Sequence, residues 1–295
     1  MSAGLYQKLA FWKQSKERVN IGVFLTKSTL WLAVLNEQSH PQYSSVDFDG
    51  DWYQAFSQIQ QRFPSASLSI VLSSEFYQLI QVDKPNVDES ELKAALIWAV
   101  KDLVNVPPAN IHLDYFDTPV AANGKINVVV TAKDAIQDIA LAAKKHNVHI
   151  KQISIEELLL PKISNDVDQA KLVLCHYEGG ELLLSIVKND AIYLQRRIRG
   201  FHALDKMSRE DLSYGATDNL SIEIQRSMDF YEGQLRQAPI KKITVVIDNV
   251  AEDLADLLKV NFAQTVEVVK VDIVSAYLSG LTLVETEQEV AEVSQ

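Results

Sequence analysis

Few residues in this chain have types and spacings that chemistry could use. The single cysteine, Cys175, stands beside His176, the partnership that a thiolate nucleophile or a soft-metal site would need. Residues 171–176 read as a strand, however, and adjacent strand residues point to opposite faces. The pair does not converge. A lone cysteine also rules out an intrachain disulfide and a multi-cysteine metal centre, and it fits a reducing cytoplasm. Gly179-Gly180 follows. Paired glycines cradle an anion or close a hairpin, and the strand patterns on both sides favour the hairpin. Arg196, Arg197 and Arg199 crowd the end of another strand. Such a cluster receives an acidic partner segment or, as readily, keeps a strand edge from aggregating.

The 295 residues carry 28 basic and 39 acidic side chains, a formal net charge of −11. That charge repels phosphate backbones, so nucleic acid is not an expected partner. No apolar stretch reaches the roughly 18–20 residues that cross a bilayer. A secretory signal is interrupted by Lys8, Lys13, Lys16, Glu17 and Arg18. Residues 1–18 are expected to form an amphipathic helix, with Leu5, Leu9 and Trp12 on one face. It would either anchor the protein peripherally on an anionic membrane or pack on its own domain.

The elements that must position these residues follow from local pattern. Residues 19–25 and 29–35 are apolar runs joined by Thr26-Lys27-Ser28, with a third strand near 42–48, a helix over 52–63 stopped by Pro64, and a buried strand at 68–72. Asp88-Glu89-Ser90-Glu91 has the spacing of a capping box, and Leu92, Leu96, Ala99, Val100 and Leu103 continue it as a helical stripe ending before Pro107-Pro108. Trp98 on that helix is read as a core residue. Strands at 76–82, 111–116 and 128–131 flank it, followed by a helix at 135–146 and a strand at 150–155. The second half repeats the opening: strands at 171–176, 181–188 and 191–198, then a long helix at 218–236, a strand at 243–247, a helix at 251–260 and a strand at 266–271. The acidic tail, 285–295, is expected to be disordered.

Strand, tight turn, strand, turn, strand and helix therefore open both halves. Two halves in that order suggest an α/β fold of the actin and sugar-kinase type, in which nucleotide sits between two related lobes. The expected boundaries are 19–73 for the first part of lobe 1, 74–156 for an inserted small α+β subdomain, and 157–284 for lobe 2 with a return to lobe 1.

Longer stretches carry a family resemblance. Pro85 to Pro108, PNVDESELKAALIWAVKDLVNVPP, with Leu113-Asp114-Tyr115 beyond it, resembles the inserted subdomain of PilM-type pilus assembly proteins. Residues 222–235, IEIQRSMDFYEGQL, resemble that family's signature helix in the second lobe. The opening WKQSKERVNIGV is similar to the branch that serves the mannose-sensitive (MSHA) pilus. The likeness covers roughly residues 18–285. It implies an actin-like protein on the cytoplasmic side of the inner membrane, a scaffold rather than an enzyme. Such a scaffold binds the cytoplasmic N-terminal peptide of a bitopic PilN-like partner and links it to the pilus motor ATPase. The cytoplasmic module of the type II secretion L protein is a similar alternative. That module is followed by a membrane span, and none follows here.

Active actin-like ATPases hold phosphates on two hairpin tips, where glycine admits the backbone and a carboxylate positions Mg²⁺ or water. The first tip in relatives reads roughly acid-x-Gly-x-x-Ser. Here it reads Phe24-Leu25-Thr26-Lys27-Ser28-Thr29, and phenylalanine cannot bind a metal. At the second tip Cys175 takes the acidic place and Tyr177 the glycine place, while Asp248-Asn249-Val250 stands where a Gly-Gly turn would meet the adenosine. A degenerate site without ATP hydrolysis is the expectation. If ATP binds at all, Thr26, Lys27, Ser28, Gly179, Gly180, Asp248 and Asn249 would meet it; an active ATPase is the competing reading. The resemblance further implies a partner-peptide groove between lobe 1 and the inserted subdomain, bordered by the helix at 88–104 and the strand at 76–82.

Overall fold

The structure is a computed structural model and describes residues 18–119, 124–163 and 169–284. The expected N-terminal helix, but for its last residue, and the acidic tail lie outside the described residues. β1 (Val19–Leu25) is buried at every position from Ile21 onward, as a strand covered on both faces must be. It pairs antiparallel with β2 (Thr29–Leu35), which pairs antiparallel with β3 (Pro41–Asp47). Helix α1 (Trp52–Arg62) starts where the Asp51 carboxylate accepts the N–H groups of Tyr53 and Gln54, at 2.8 and 3.1 Å. A cap of this kind contributes about 1 kcal/mol. β4 (Ala66–Leu72) is wholly buried and runs parallel to β1.

The chain then leaves the lobe as a small three-stranded sheet. β5 (Gln78–Asp83), helix α2 (Glu89–Val100), β6 (Ile111–Phe116) and β7 (Lys125–Ala132) give the order β5-β7-β6. Leu92, Leu96 and Val100 of α2 pack on Ile111, Leu113, Ile126, Val128 and Val130, one face of that sheet. Trp98 is not in this core. It is 69% exposed, with Lys101 Nζ 4.2 Å from its ring centre, because two residues' rotation from Leu96 carries it to the opposite side of the helix. The expected capping box is also absent. Asp88 makes no side-chain cap, and the first turn is held by Glu91 N–H donating to Asp88 O at 2.9 Å.

Helix α3 (Lys133–Lys145) leads into β8 (His149–Ile155), which pairs parallel with β4 and completes the lobe 1 order β3-β2-β1-β4-β8. The insertion is therefore narrower than 74–156. Ile139, Ala142 and Ala143 of α3 join the lobe 1 core with Phe56 and Ile59 of α1, and β8 is a strand of the lobe 1 sheet. A 3₁₀ stretch, Glu156–Ile163, crosses to the second lobe.

That lobe repeats the first. β9 (Lys171–His176), β10 (Leu182–Lys188), β11 (Ala191–Ile198), α4 (Thr217–Asp229), β12 (Lys242–Ile247), α5 (Ala251–Asn261) and β13 (Thr265–Val268) give the order β11-β10-β9-β12-β13. The helix expected over 218–236 is α4 followed by a wider π turn, Phe230–Gln234, which buries Tyr231. Last, α6 (Val274–Leu281) returns to lobe 1 and crosses β1 at Gly22. A Cβ there would stand 2.1 Å from both Ser279 O and Thr282 Oγ1. Glycine is what lets the helix lie this close.

Candidate functional site

Between the lobes, the turn after β1 and the turn after β9 face each other across a cleft of about 620 Å³. The structure brings Thr26, Lys27, Ser28, Gly179, Asp248 and Asn249 around this cleft, while Gly180 lies outside its lining. Tyr177 lines the cleft, and Phe24, fully buried behind, meets the Tyr177 ring edge to face, ring centres 5.2 Å apart. Both belong to an apolar core that joins the lobes and includes Leu160, Val173, Val246 and Leu278. Gly180 has a packing reason, since a Cβ there would meet the Tyr177 ring at 2.7 Å, and Gly179 turns the hairpin at φ +79°.

Asp248 is engaged within the fold. Its Oδ2 accepts from Glu178 N–H at 2.9 Å and its Oδ1 from Val274 N–H at 2.8 Å, tying the β9–β10 turn to the start of α6. Burial raises its pKa, partly offset by those two N–H groups. Glu75, Glu178, Asp248 and Asp272 around the cleft outnumber Lys27 and Lys206, so its field does not favour an anion. Burial pushes the Cys175 thiol well above its usual range and lowers the pKa of His176. Among the described residues no group of three or more His, Cys, Asp or Glu side chains is arranged to hold a metal, and no helix is long and apolar enough to cross a membrane.

Beside the cleft lies a buried charged cluster that sequence reasoning missed. Glu156 and Glu157, on the crossing segment, are 3% and 1% exposed, and both turn toward Arg197 of β11. Arg197 Nη2 donates to Glu157 Oε1 at 2.5 Å and lies 2.6 Å from Glu156 Oε1, an ion-pair contact without hydrogen-bond alignment. Tyr177 donates to Glu156 Oε2 at 2.9 Å, and Tyr77, entering from lobe 1, donates to Glu157 Oε2. Burial drives the Glu156 pKa up to about 7 even against the opposing pull of Arg197. Burial would lower the pKa of Arg197, but the two carboxylates outweigh it and hold the guanidinium charged. Two of the crowded arginines are thus spoken for internally, Arg197 here and Arg196 by Glu223 at 2.8 Å. Adjacent glutamates next to an apolar run were the available signal.

The second place with functional geometry is a small groove of about 210 Å³ between the inserted subdomain and lobe 1. His112, Asp114 and Phe116 of β6 line one wall and Ile153 and Ile155 of β8 the other, with Leu158 at one end. β6 and β8 are each the terminal strand of their sheet. The expected borders do not line this groove; Gln78, Leu79, Ile80 and Leu103 instead line another, of about 600 Å³, together with Arg196 and Arg197. Helix α2 covers the face of β6 that carries Ile111 and Leu113, so alternation leaves the opposite face to the groove. β5 sits at the far edge of the small sheet and contributes nothing to this lining.

No family model matches the chain, and no curated protein does. Solved structures do. The PilM-PilN type IV pilus biogenesis complex contains a chain similar to this one, with TM-score 0.63 and 15% identity over 90% of this chain and 97% of that one. The cytoplasmic domain of EpsL, an inner-membrane component of the type II secretion system of Vibrio cholerae, gives TM-score 0.56 and 13% identity over 90% and 95%. A Bacteroides thetaiotaomicron protein with an actin-like ATPase fold gives 0.51 and 11% over 91% and 96%. The fold is actin-like. Within that actin-like frame the two five-stranded sheets are the paired lobes, and the β5-β7-β6 sheet with α2 is the inserted subdomain.

Proposed function

We propose that this protein is a non-enzymatic, PilM-like scaffold that holds the cytoplasmic peptide of a bitopic, PilN-like membrane protein. The observation that carries the reading is the apolar groove framed by the terminal strands β6 and β8. An extended segment entering there gains backbone pairing from a free strand edge and specificity from a few apolar anchors such as Phe116 and Ile153. The PilM-PilN pair is itself a complex, which supports a PilN-like partner. The WKQSKERVNIGV opening favours the mannose-sensitive pilus branch over a secretion L-type module. In this role the protein works at the cytoplasmic face of the inner membrane, held there through its partner and coupling it to a motor ATPase.

A functioning ATPase is the second reading, because the cleft does gather Thr26, Lys27, Ser28 and Asp248. Its residues do not fit a magnesium nucleotide. Phe24 is buried out of the cleft and offers no ligand atom, the Tyr177 ring stands where the second tip would need a glycine, and both oxygens of Asp248 are already bound by backbone N–H groups.

Titration of the cytoplasmic peptide of the PilN-like partner against the full chain tests the first reading. Leu158→Asp and His112→Glu, at positions open to solvent, should weaken binding at least about tenfold, as loss of an interface anchor does. Trp98→Ala, on the far side of the inserted subdomain, should leave binding unchanged. Groove variants that bind like the parent protein would sink the proposal. Mg²⁺-ATP should neither turn over nor raise the melting temperature, whereas a ligand at a hundred times its Kd stabilises by about 2.7 kcal/mol.

A further inference from the structure

A groove on the outer side of lobe 2, distinct from both places described above, combines cationic and exposed apolar residues on a chain of net charge −11. It measures about 820 Å³ and lies between the end of β11 and helix α4. Four arginines line it with two carboxylates, Glu223 and Asp211, and one of the four, Arg197, commits its guanidinium to the buried Glu156 and Glu157. Glu223 Oε2 takes Arg196 at 2.8 Å and Glu223 Oε1 takes Arg226 at 2.7 Å, so both its oxygens are used. Arg199 is exposed and makes no ion pair among the described residues. Asp211, on the opposite wall, turns its Oδ2 to the Ser208 hydroxyl at 2.7 Å.

The rim is apolar where solvent would favour polar groups. Just before α4 the helix breaks into a π turn over Leu212–Ala216, with Gly215 in the left-handed region at φ +99°. The break holds Tyr214 out, 83% exposed, and Ile222 on α4 is 51% exposed beside the same groove. Tyrosine, arginine and a branched aliphatic residue around a concavity are the composition of an interface centre. Wide turns of this kind also concentrate at functional positions. β11 is the terminal strand of its sheet, so its edge can pair with an extended chain.

We propose that this groove binds an acidic, extended segment of a protein partner, its carboxylates on Arg199, Arg226 and Arg196 and an apolar side chain between Tyr214 and Ile222. Charge complementarity selects the sign of the ligand. Concavity selects a chain over a lipid surface, because an extended segment can enter a groove that a flat bilayer would only span. This site is independent of the β6–β8 groove, and its test leaves that groove untouched.

The test uses the full chain and a labelled peptide of alternating glutamate and valine with one central phenylalanine, compared with its lysine counterpart by fluorescence anisotropy. The acidic peptide should bind, weaken steeply with added salt, and lose at least about tenfold in affinity in Arg199→Glu and in Tyr214→Ser. Both positions are exposed, so neither variant should perturb folding. The lysine peptide should not bind. Absence of binding by the acidic peptide, affinity in the two variants equal to that of the parent protein, or binding confined to phosphatidylglycerol vesicles in co-sedimentation would each overturn the proposal.

Discussion

Replacing Arg197 with glutamine removes the cation that two buried carboxylates share. Glu156 and Glu157 lie 2.6 and 2.5 Å from the same Nη2, and both are almost wholly buried. Removing one partner of a buried pair costs about 3–5 kcal/mol, because an uncompensated charge stays behind. That is a large share of the 5–15 kcal/mol typical of a folded protein. The cost must also depend on pH. Glu156 is already driven up to about 7 with Arg197 present, so without the arginine it escapes its penalty by keeping a proton. At pH 8 Glu156 in the parent protein is largely charged against Arg197, and the full amount is lost. At pH 6 Glu156 is largely neutral in both proteins, and the loss should fall by roughly 1–2 kcal/mol, one pKa unit being worth about 1.4. Urea unfolding of Arg197→Gln and the parent at both pH values measures this. An Arg197→Gln/Glu156→Gln double variant should recover at least about 1 kcal/mol at pH 8. A loss below about 1 kcal/mol at both pH values would falsify the reasoning that Arg197 compensates the two buried carboxylates.

In the parent protein the sign of the Glu156 contribution is set by a folded pKa raised from 4.5 to about 7. Its stabilisation is complete below about pH 4.5 and is lost as pH rises through 7, about 3 kcal/mol in all; Glu156→Gln should flatten that slope in denaturation series between pH 5 and 8. Gly22→Ala should destabilise by about 1–3 kcal/mol or more, because the new methyl meets the Ser279 backbone carbonyl of α6 as well as the Thr282 hydroxyl; an unchanged urea midpoint would mean α6 does not pack as described. Leu96→Ala should cost about 2–5 kcal/mol, since Leu96 is fully buried under the small sheet. Trp98→Ala should cost far less, and equal losses in the two would contradict the orientation of α2.

Much of this architecture was legible because it is written in short-range pattern. Alternating apolar runs separated by Thr26-Lys27-Ser28 and by Gly179-Gly180 are strands and turns whatever surrounds them, and their repetition in both halves was enough to suggest the paired-lobe fold. That Phe24 cannot ligate a metal was legible for the same reason, since no tertiary arrangement gives its ring a donor atom. The orientation of α2 was not. That helix is apolar nearly all round, with Ala94, Ala95, Ile97, Trp98 and Ala99 between its three core residues, so composition alone left its buried side open until the small sheet supplied a partner.

Other features belong to the tertiary structure alone. Tyr77 and Arg197 are 120 positions apart and Glu157 and Arg197 40 apart. Their meeting depends on how the crossing segment carries one lobe against the other, which no local periodicity encodes. Arg196, Arg197 and Arg199 are indistinguishable as letters, yet the fold commits the second to buried carboxylates, shares the first with Glu223 and leaves the third in solvent. The groove likewise exists only because β6 and β8 end their sheets side by side. Residue type and spacing determined what each segment is able to form. Which faces meet, and so which charges are neutralised and which strand edges stay open, was decided by long-range packing, where the free energy belongs to pairs of distant segments and not to either one.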